Sequence, residues 1–354
     1  MSHPVSFLLL TGSLAFAAAS AAAAQQPTRH TLQGEAVSLY NLAGTVRLDP
    51  GSGSAVVAEV TPRGPDAARL TVEKGTLRGR ETLRVMYPER DIVYPSLGRG
   101  HRTQFRVYED GTFFGDRQQR GEGREIRITG DGDGLEAYAD MRVLVPAGKS
   151  VEVYVGVGSV AVTNVNGNLV VDVAAADVTT SGTRGTLVLD LGSGEVSVTD
   201  AEGELTVDAG SGDMQITNVR GEKLLFDTGS GTITGNGLRA SSILLDTGSG
   251  DVTLSGVSAP VIELDTGSGT VELALESDIE TLRLDSGSGD VILHAPASLG
   301  ARLEAETGSG DVTGSLIEDF TRRRDEDRVV GTIGDGQGMI TIDSGSGDVR
   351  LEKR

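Results

Sequence analysis

The chain has no cysteine and no tryptophan, and aromatic residues make up only 4% of its 354 positions. Without cysteine there is no disulfide framework, no thiol nucleophile and no thiolate metal site, so any staple must come from hydrogen bonding or ions. So few large side chains cannot fill a thick globular core. Helices are disfavoured as well, because glycine reaches 50 residues, about double the usual share. The apolar residues that remain are Val, Leu and Ile in regular alternation, which fits an all-β chain with a thin aliphatic core.

Basic residues are short in one part of the chain only. From Gln25 to Ile128 there are 16 Lys+Arg against 13 Asp+Glu, and from Thr129 to Arg354 there are 15 against 38, giving a net charge of −20. An acidic repeat region argues against nucleic acid or an anionic membrane as its ligand, and is compatible with cations, basic partners or solubility.

Val5 to Ala24 reads VSFLLLTGSLAFAAASAAAA and is followed by Gln25-Gln26-Pro27. A short Leu/Phe-rich run grading into small residues predicts a signal peptide over 1–24, and hence export to the periplasm, the cell surface or the medium. No cysteine follows to carry a lipid, and the remaining sequence offers no second apolar run long enough to span a membrane.

The dominant feature is a repeat. Gly-Ser-Gly begins at Gly192, Gly210, Gly229, Gly248, Gly267, Gly287, Gly308 and Gly345, in steps of 18, 19, 19, 19, 20, 21 and 37. The last step reads as two periods with one degenerate turn inside it, and small residues at Gly156 and Ala174 extend the series backwards. About eleven successive turns are thus expected between Val151 and Arg354. Each unit has period-two apolar residues on both sides of the glycine turn, such as Ile243 and Leu245 before it and Val252 and Leu254 after it. A lone hairpin of this kind is marginal in water. Coiling the chain so that equivalent strands stack in parallel, ~4.8 Å apart, buries a continuous ladder. The expected fold is therefore a single-chain β-solenoid with 18–21-residue turns and two main strands per turn.

The recurrent D-[TS]-G-S-G-[DT]-[VI] unit resembles the bacterial "putative-adhesin" family of exported β-strand repeat proteins, a domain of unknown function. Tyr40-Asn41-Leu42-Ala43-Gly44-Thr45-Val46 is similar to that family's opening strand and turn, and Val143-Leu144-Val145-Pro146-Ala147-Gly148 to its lead-in to the regular coils. The resemblance implies an exported solenoid with an adhesive label, and brings no catalytic residues with it.

On this reading, residues 25–142 form an irregular β-rich N-terminal cap and 143–354 the regular solenoid. Phe105 to Phe114 reads as a hairpin about Asp110-Gly111. The same stretch holds aromatics and Arg99, Arg102, Arg106, Arg117 and Arg120, so it is either a recognition surface or, as we favour, a cover for the open end of the coil. Residues 316–331, rich in mixed charge, interrupt the repeat as a solvated excursion or a partner-binding loop.

Recognisable catalytic chemistry is sparse. The 4 histidines (His3, His30, His101, His294) show no ligand spacing, and the serine of the glycine turn has no histidine at regular distance. Gly-Ser-Gly precedes a strand, so it is no phosphate cradle at a helix start. A polysaccharide lyase or hydrolase using Asp/Glu remains the weakest reading, since no pair stands out.

One arrangement carries chemical content. Asp190, Asp208, Asp227, Asp246, Asp265, Asp285 and Asp343, with Glu306, stand two residues before each glycine turn and point outward by alternation. Glu195, Asp213, Asp251, Asp290, Asp311 and Asp348 follow the turns. Two explanations compete: the first set caps the backbone of the turn, or the seven aspartates hold cations, calcium being the candidate, between stacked turns. No other cofactor is expected. The function this supports is a non-enzymatic exported scaffold, an adhesin or cell-envelope interaction protein whose partner is a surface polymer or envelope protein. A calcium-stabilised solenoid is the alternative.

Overall fold

The computed structural model describes residues 26–114, 123–318 and 327–354. The expected signal peptide, Arg117, Arg120 and residues 319–326 of the 316–331 insertion lie outside the described residues. Among the described residues all the regular structure is β-strand apart from three short 3-10 turns, with 25 strands in one continuous sheet and 3 in a second.

The chain is a β-solenoid. Lys149–Thr163 pairs in parallel with Gly167–Ser181, which pairs with Leu187–Ser193 before its Ala174–Ala176 corner and with Val196–Thr199 after it. The same double pairing then repeats coil by coil to Thr281–Ser286 and Val291–Ala295. A third, one-residue rung joins Asn166, Arg184, Glu202 and Arg220, so each of these coils has three sides.

Inside, equivalent residues stack in files. Leu187, Leu205, Leu224, Ile243, Ile262 and Leu282 form one, and Val196, Met214, Ile233, Val252, Val271 and Val291 face them from the second strand; all are buried. Each such aliphatic side chain contributes about 1.5–3 kcal/mol on burial. The period-two rule places them correctly because a parallel in-register stack keeps every alternation in phase.

The sequence order fails at both ends. Thr281–Ser286 pairs with Gly338–Ser344, and Ala301–Thr307 pairs with the far side of Gly338–Ser344. The C-terminal coil is therefore interposed between two coils that precede it in sequence. Arg328–Ile333 then runs antiparallel along the outer edge of Ala301–Thr307. Among the described residues between Gly308 and Gly345 the expected degenerate coil turn does not stack between these coils; Arg328–Ile333 instead forms this covering strand.

The N-terminal end repeats the device. Ala36–Pro50 pairs in parallel with Lys149–Thr163 on one side, and on the other with Arg80–Met86 and Tyr138–Val145. Regular stacking thus begins at Ala36, earlier than the expected boundary at 143. Thr71–Leu77 and Val56–Arg63 cover the outermost coil in antiparallel fashion, and Thr28–Leu32 pairs with Val56–Arg63. These strands occupy edges that would otherwise present open N–H and C=O rows.

The hairpin read at Phe105 to Phe114 is different in the structure. Tyr108 to Thr112 does close a turn, with Gly111 N–H donating to Tyr108 O at 2.9 Å. The strand Arg102–Tyr108, however, pairs antiparallel with Gly123–Thr129, and Asp91–Val93 completes this second sheet. Its aromatics turn inward rather than over the coil's end. Phe105 lies on the side of the coil at Gly156, where a Cβ would come within 2.4 Å of the ring. Tyr40 and Tyr154, in register on adjacent coils, stack at 4.4 Å beside Phe113.

Candidate functional site

The glycine turn sets the spacing of everything on the outer surface. At Gly250 φ is +129°, and a Cβ would sit 2.1 Å from the carbonyl oxygen of Gly231 on the neighbouring coil. Only glycine permits both that backbone conformation and that approach. The residue before the turn points inward: Thr228, Thr247 and Thr266 are buried and donate to the carbonyls of Ser230, Ser249 and Ser268 at 3.2, 3.5 and 3.3 Å. Two residues before the turn the side chain must therefore face outward, and aspartate recurs there.

Strand register lines these acids up. Asp172, Asp190, Asp208, Asp227, Asp246, Asp265, Asp285, Asp343 and Glu306 are successive partners along the rod, Asp343 standing between Asp285 and Glu306 because of the interposed coil. All seven aspartates singled out from the sequence belong to this one column. Arg283 reaches Asp285 at 3.7 Å and Arg328 reaches Glu306 at 3.5 Å. Burial first, and the neighbouring Asp190 second, raise the Asp208 carboxyl above its ordinary value; burial and Asp208 do the same to Asp227. Asp265 is raised by burial and by Asp285 and Asp246, against the opposing pull of Arg283. No three His, Asp or Glu side chains among the described residues converge as a metal cage.

Capping is done by the other acids. Asp213 Oδ1 accepts from the Thr232 amide and Asp251 Oδ1 from the Thr270 amide, both at 2.8 Å and both one coil along. Asp290 accepts from Asp348 N–H, and Asp348 from Asp311 N–H, at 2.9 and 3.1 Å. The expected capping role of the column before the turn is thus misplaced. Asp190, Asp208, Asp227, Asp246, Asp265 and Asp343 accept no hydrogen bond from a described residue. The physical reason lies in direction: the post-turn side chain leans along the rod toward the next coil's amide, while the pre-turn side chain stands off the sheet.

A second feature lies at the opposite corner of the coil and is polar throughout. Asn164, Asp200 and Asn218 adopt left-handed φ values of 53°, 55° and 54°, with Gly182 and Gly237 at the matching positions. Asn218 Nδ2 donates to Asp200 Oδ1 at 3.2 Å. Beside this corner runs the third rung, Asn166, Arg184, Glu202, Arg220 and Arg239, in register. Together they line a groove of about 600 Å³. Arg184 pairs with exposed Glu202 at 2.9 Å, and Arg239 approaches Glu276 at 3.8 Å. Neither column was picked out from the sequence, although residues of the αL-tolerant types Asn, Asp and Gly recur there at the coil period.

Of the N-terminal arginines, Arg99, Arg102 and Arg106 are exposed on or beside the small sheet. His294 lies 3.4 Å from Glu272, away from the column. No helix among the described residues is long and apolar enough to cross a membrane.

A family model described as Toastrack DUF4097 matches residues 138–352. No curated protein matches the chain. Among solved structures it is similar to one described as a "putative cell adhesion protein" from Clostridium sporogenes, at 10% identity, over 93% of this chain and 100% of that one. The TM-score of 0.21 is too low for that likeness to bear on fold or function.

Proposed function

The chain belongs to the Toastrack DUF4097 family, a domain of unknown function, and from that premise we propose that it is a non-enzymatic scaffold of the cell envelope, exported and acting through its outer face as an adhesin or interaction protein. The observation that carries this reading is the in-register outer surface: equivalent polar side chains repeat on every coil along a rod whose ends are both covered by antiparallel strands. Such a surface suits a repetitive partner, a polymer or another periodic protein face, better than a small substrate.

The test is surface labelling and fractionation of cells producing the tagged protein, with partner capture by cross-linking. The reading expects the protein outside the inner membrane, accessible to a non-permeant reagent, and cross-linked to an envelope component. Recovery from the cytoplasm, or in the periplasm without a partner, would contradict it.

Cation binding is a second reading, favoured by the unbroken register of the aspartate column. Calcium would there take oxygens from adjacent coils.

A further inference from the structure

We propose that the groove along the Arg184–Arg220–Arg239 corner binds an acidic polysaccharide, laid parallel to the rod with its carboxylates on these guanidinium groups. The inference rests on the scaffold reading above and names the class of polymer such a scaffold would hold.

The charge of the groove differs from that of the rest of the solenoid. Asp200 and Glu202, its two acids, are already engaged by Asn218 and Arg184. Arg220, in register between Glu202 and Arg239, makes no ion pair or side-chain hydrogen bond with a described residue. Its planar fork is suited to a carboxylate in two-point contact. The exposed pair of Arg184 with Glu202 is weak enough to be exchanged for a ligand. On another side of the coil the acid column repels polyanions, so an acidic polymer that reaches the rod is steered to the corner.

The spacing selects a linear glycan. The rung positions recur at the coil rise of ~4.8 Å, close to the length of one sugar ring in an extended chain. Glu202 holds the coil between Arg184 and Arg220, which are therefore two coils or ~10 Å apart, close to a disaccharide. The corner positions from Asn164 to Gly237 run ~19 Å, room for about four sugar units. No aromatic side chain lines the groove. Neither a base nor a neutral sugar ring finds a stacking platform there, so a ligand must be held by charge and by amide hydrogen bonds.

The test uses the purified protein and a short fluorescent oligogalacturonate, with dextran of equal length and oligothymidylate as comparison probes. Saturable, salt-sensitive binding of the oligogalacturonate alone is expected. Arg220→Glu should weaken it about tenfold or more, and Arg184→Gln less, whereas Arg102→Glu on the small sheet should leave it unchanged. Both groove residues are exposed, so circular dichroism should show the fold intact. No binding at low salt, binding indifferent to Arg220→Glu, or equal binding of oligothymidylate would overturn the inference. A protein found at the cell surface without oligogalacturonate binding refutes the groove and leaves the scaffold reading standing; binding by a protein confined to the cytoplasm does the reverse.

Discussion

The backbone amide of Asp348 donates to the Asp290 carboxylate at 2.9 Å, although 58 positions separate them. The acid next in the chain after Asp290 at that turn position, Asp311, lies one coil further out and donates its own amide to Asp348. Two coils close over a third that follows them in sequence, and at the other end Ala36–Pro50 lies between two neighbours that it precedes in sequence. In a simple solenoid the terminal coils fray first. Here the N-terminal and C-terminal coils are each paired on both sides.

Truncation before Gly338 should therefore do more than shorten the rod. It leaves two facing strand edges with unpaired backbone groups, a template for association. The truncated protein is expected to aggregate or to melt far below the full chain in size-exclusion and thermal measurements. A monomer with an unchanged melting temperature would refute the interposed arrangement.

Gly250→Ala should cost at least about 2 kcal/mol in urea unfolding, because left-handed strain adds to a backbone approach that cannot relax. Ser249→Ala, one residue away and partly exposed, should stay within about 0.5 kcal/mol. Equal effects at the two positions would show that the turn does not fix the coil spacing.

Folding raises the carboxyls of Asp208, Asp227 and Asp265 above the ordinary 3.8. The folded state then binds these protons more tightly than the unfolded chain, so stability rises as pH falls through the raised values and is lost as pH climbs back. Asp49 behaves oppositely. Burial pushes its carboxyl up, but hydrogen bonds from Arg142 and Arg47 outweigh that and hold it low, so its contribution disappears only in stronger acid. The melting temperature should peak at mildly acidic pH. The triple variant Asp208→Asn, Asp227→Asn, Asp265→Asn should melt higher at neutral pH and show a flatter profile; a lower melting temperature at neutral pH would mean that the carboxylates support the fold.

Calcium provides the separate test of the cation reading. A ligand at 100 times its dissociation constant stabilises by about 2.7 kcal/mol. If the column holds calcium, a melt in EDTA should shift upward and saturably on adding calcium, not magnesium, and Asp227→Ala with Asp246→Ala and Asp265→Ala should abolish the shift. No shift leaves the column as a charged outer face alone.

Much of this was legible in the sequence because an in-register parallel stack preserves period-two alternation. The glycine turns, the buried threonines and the outward aspartates of Ile243 to Leu254 all stand where alternation places them. Two things were not legible. Which acid caps the backbone depends on the lean of a side chain along the rod, and Asp246 and Asp251 differ in that without differing in type. The order of coils at the ends is hidden for another reason: the strands at Thr281, Ala301 and Gly338 carry the same alternation, so pattern alone cannot tell which neighbours which. The corner groove had a signal, the recurrence of Asn164, Gly182, Asp200, Asn218 and Gly237, but the stronger Gly-Ser-Gly repeat overshadowed it.

Cross-linking of introduced cysteines tests the central claim most directly, on a chain that has none of its own. Arg283 is in register with Thr341, and Glu304 lies on the far side of Thr341. Adjacent coils are ~4.8 Å apart and alternate ones ~10 Å. A short bifunctional thiol reagent should therefore join Arg283→Cys to Thr341→Cys within one molecule, and fail to join Arg283→Cys to Glu304→Cys. The opposite result, efficient linkage of 283 to 304 and none of 283 to 341, would mean that the coils stack in chain order and that the interposed C-terminal coil is wrong.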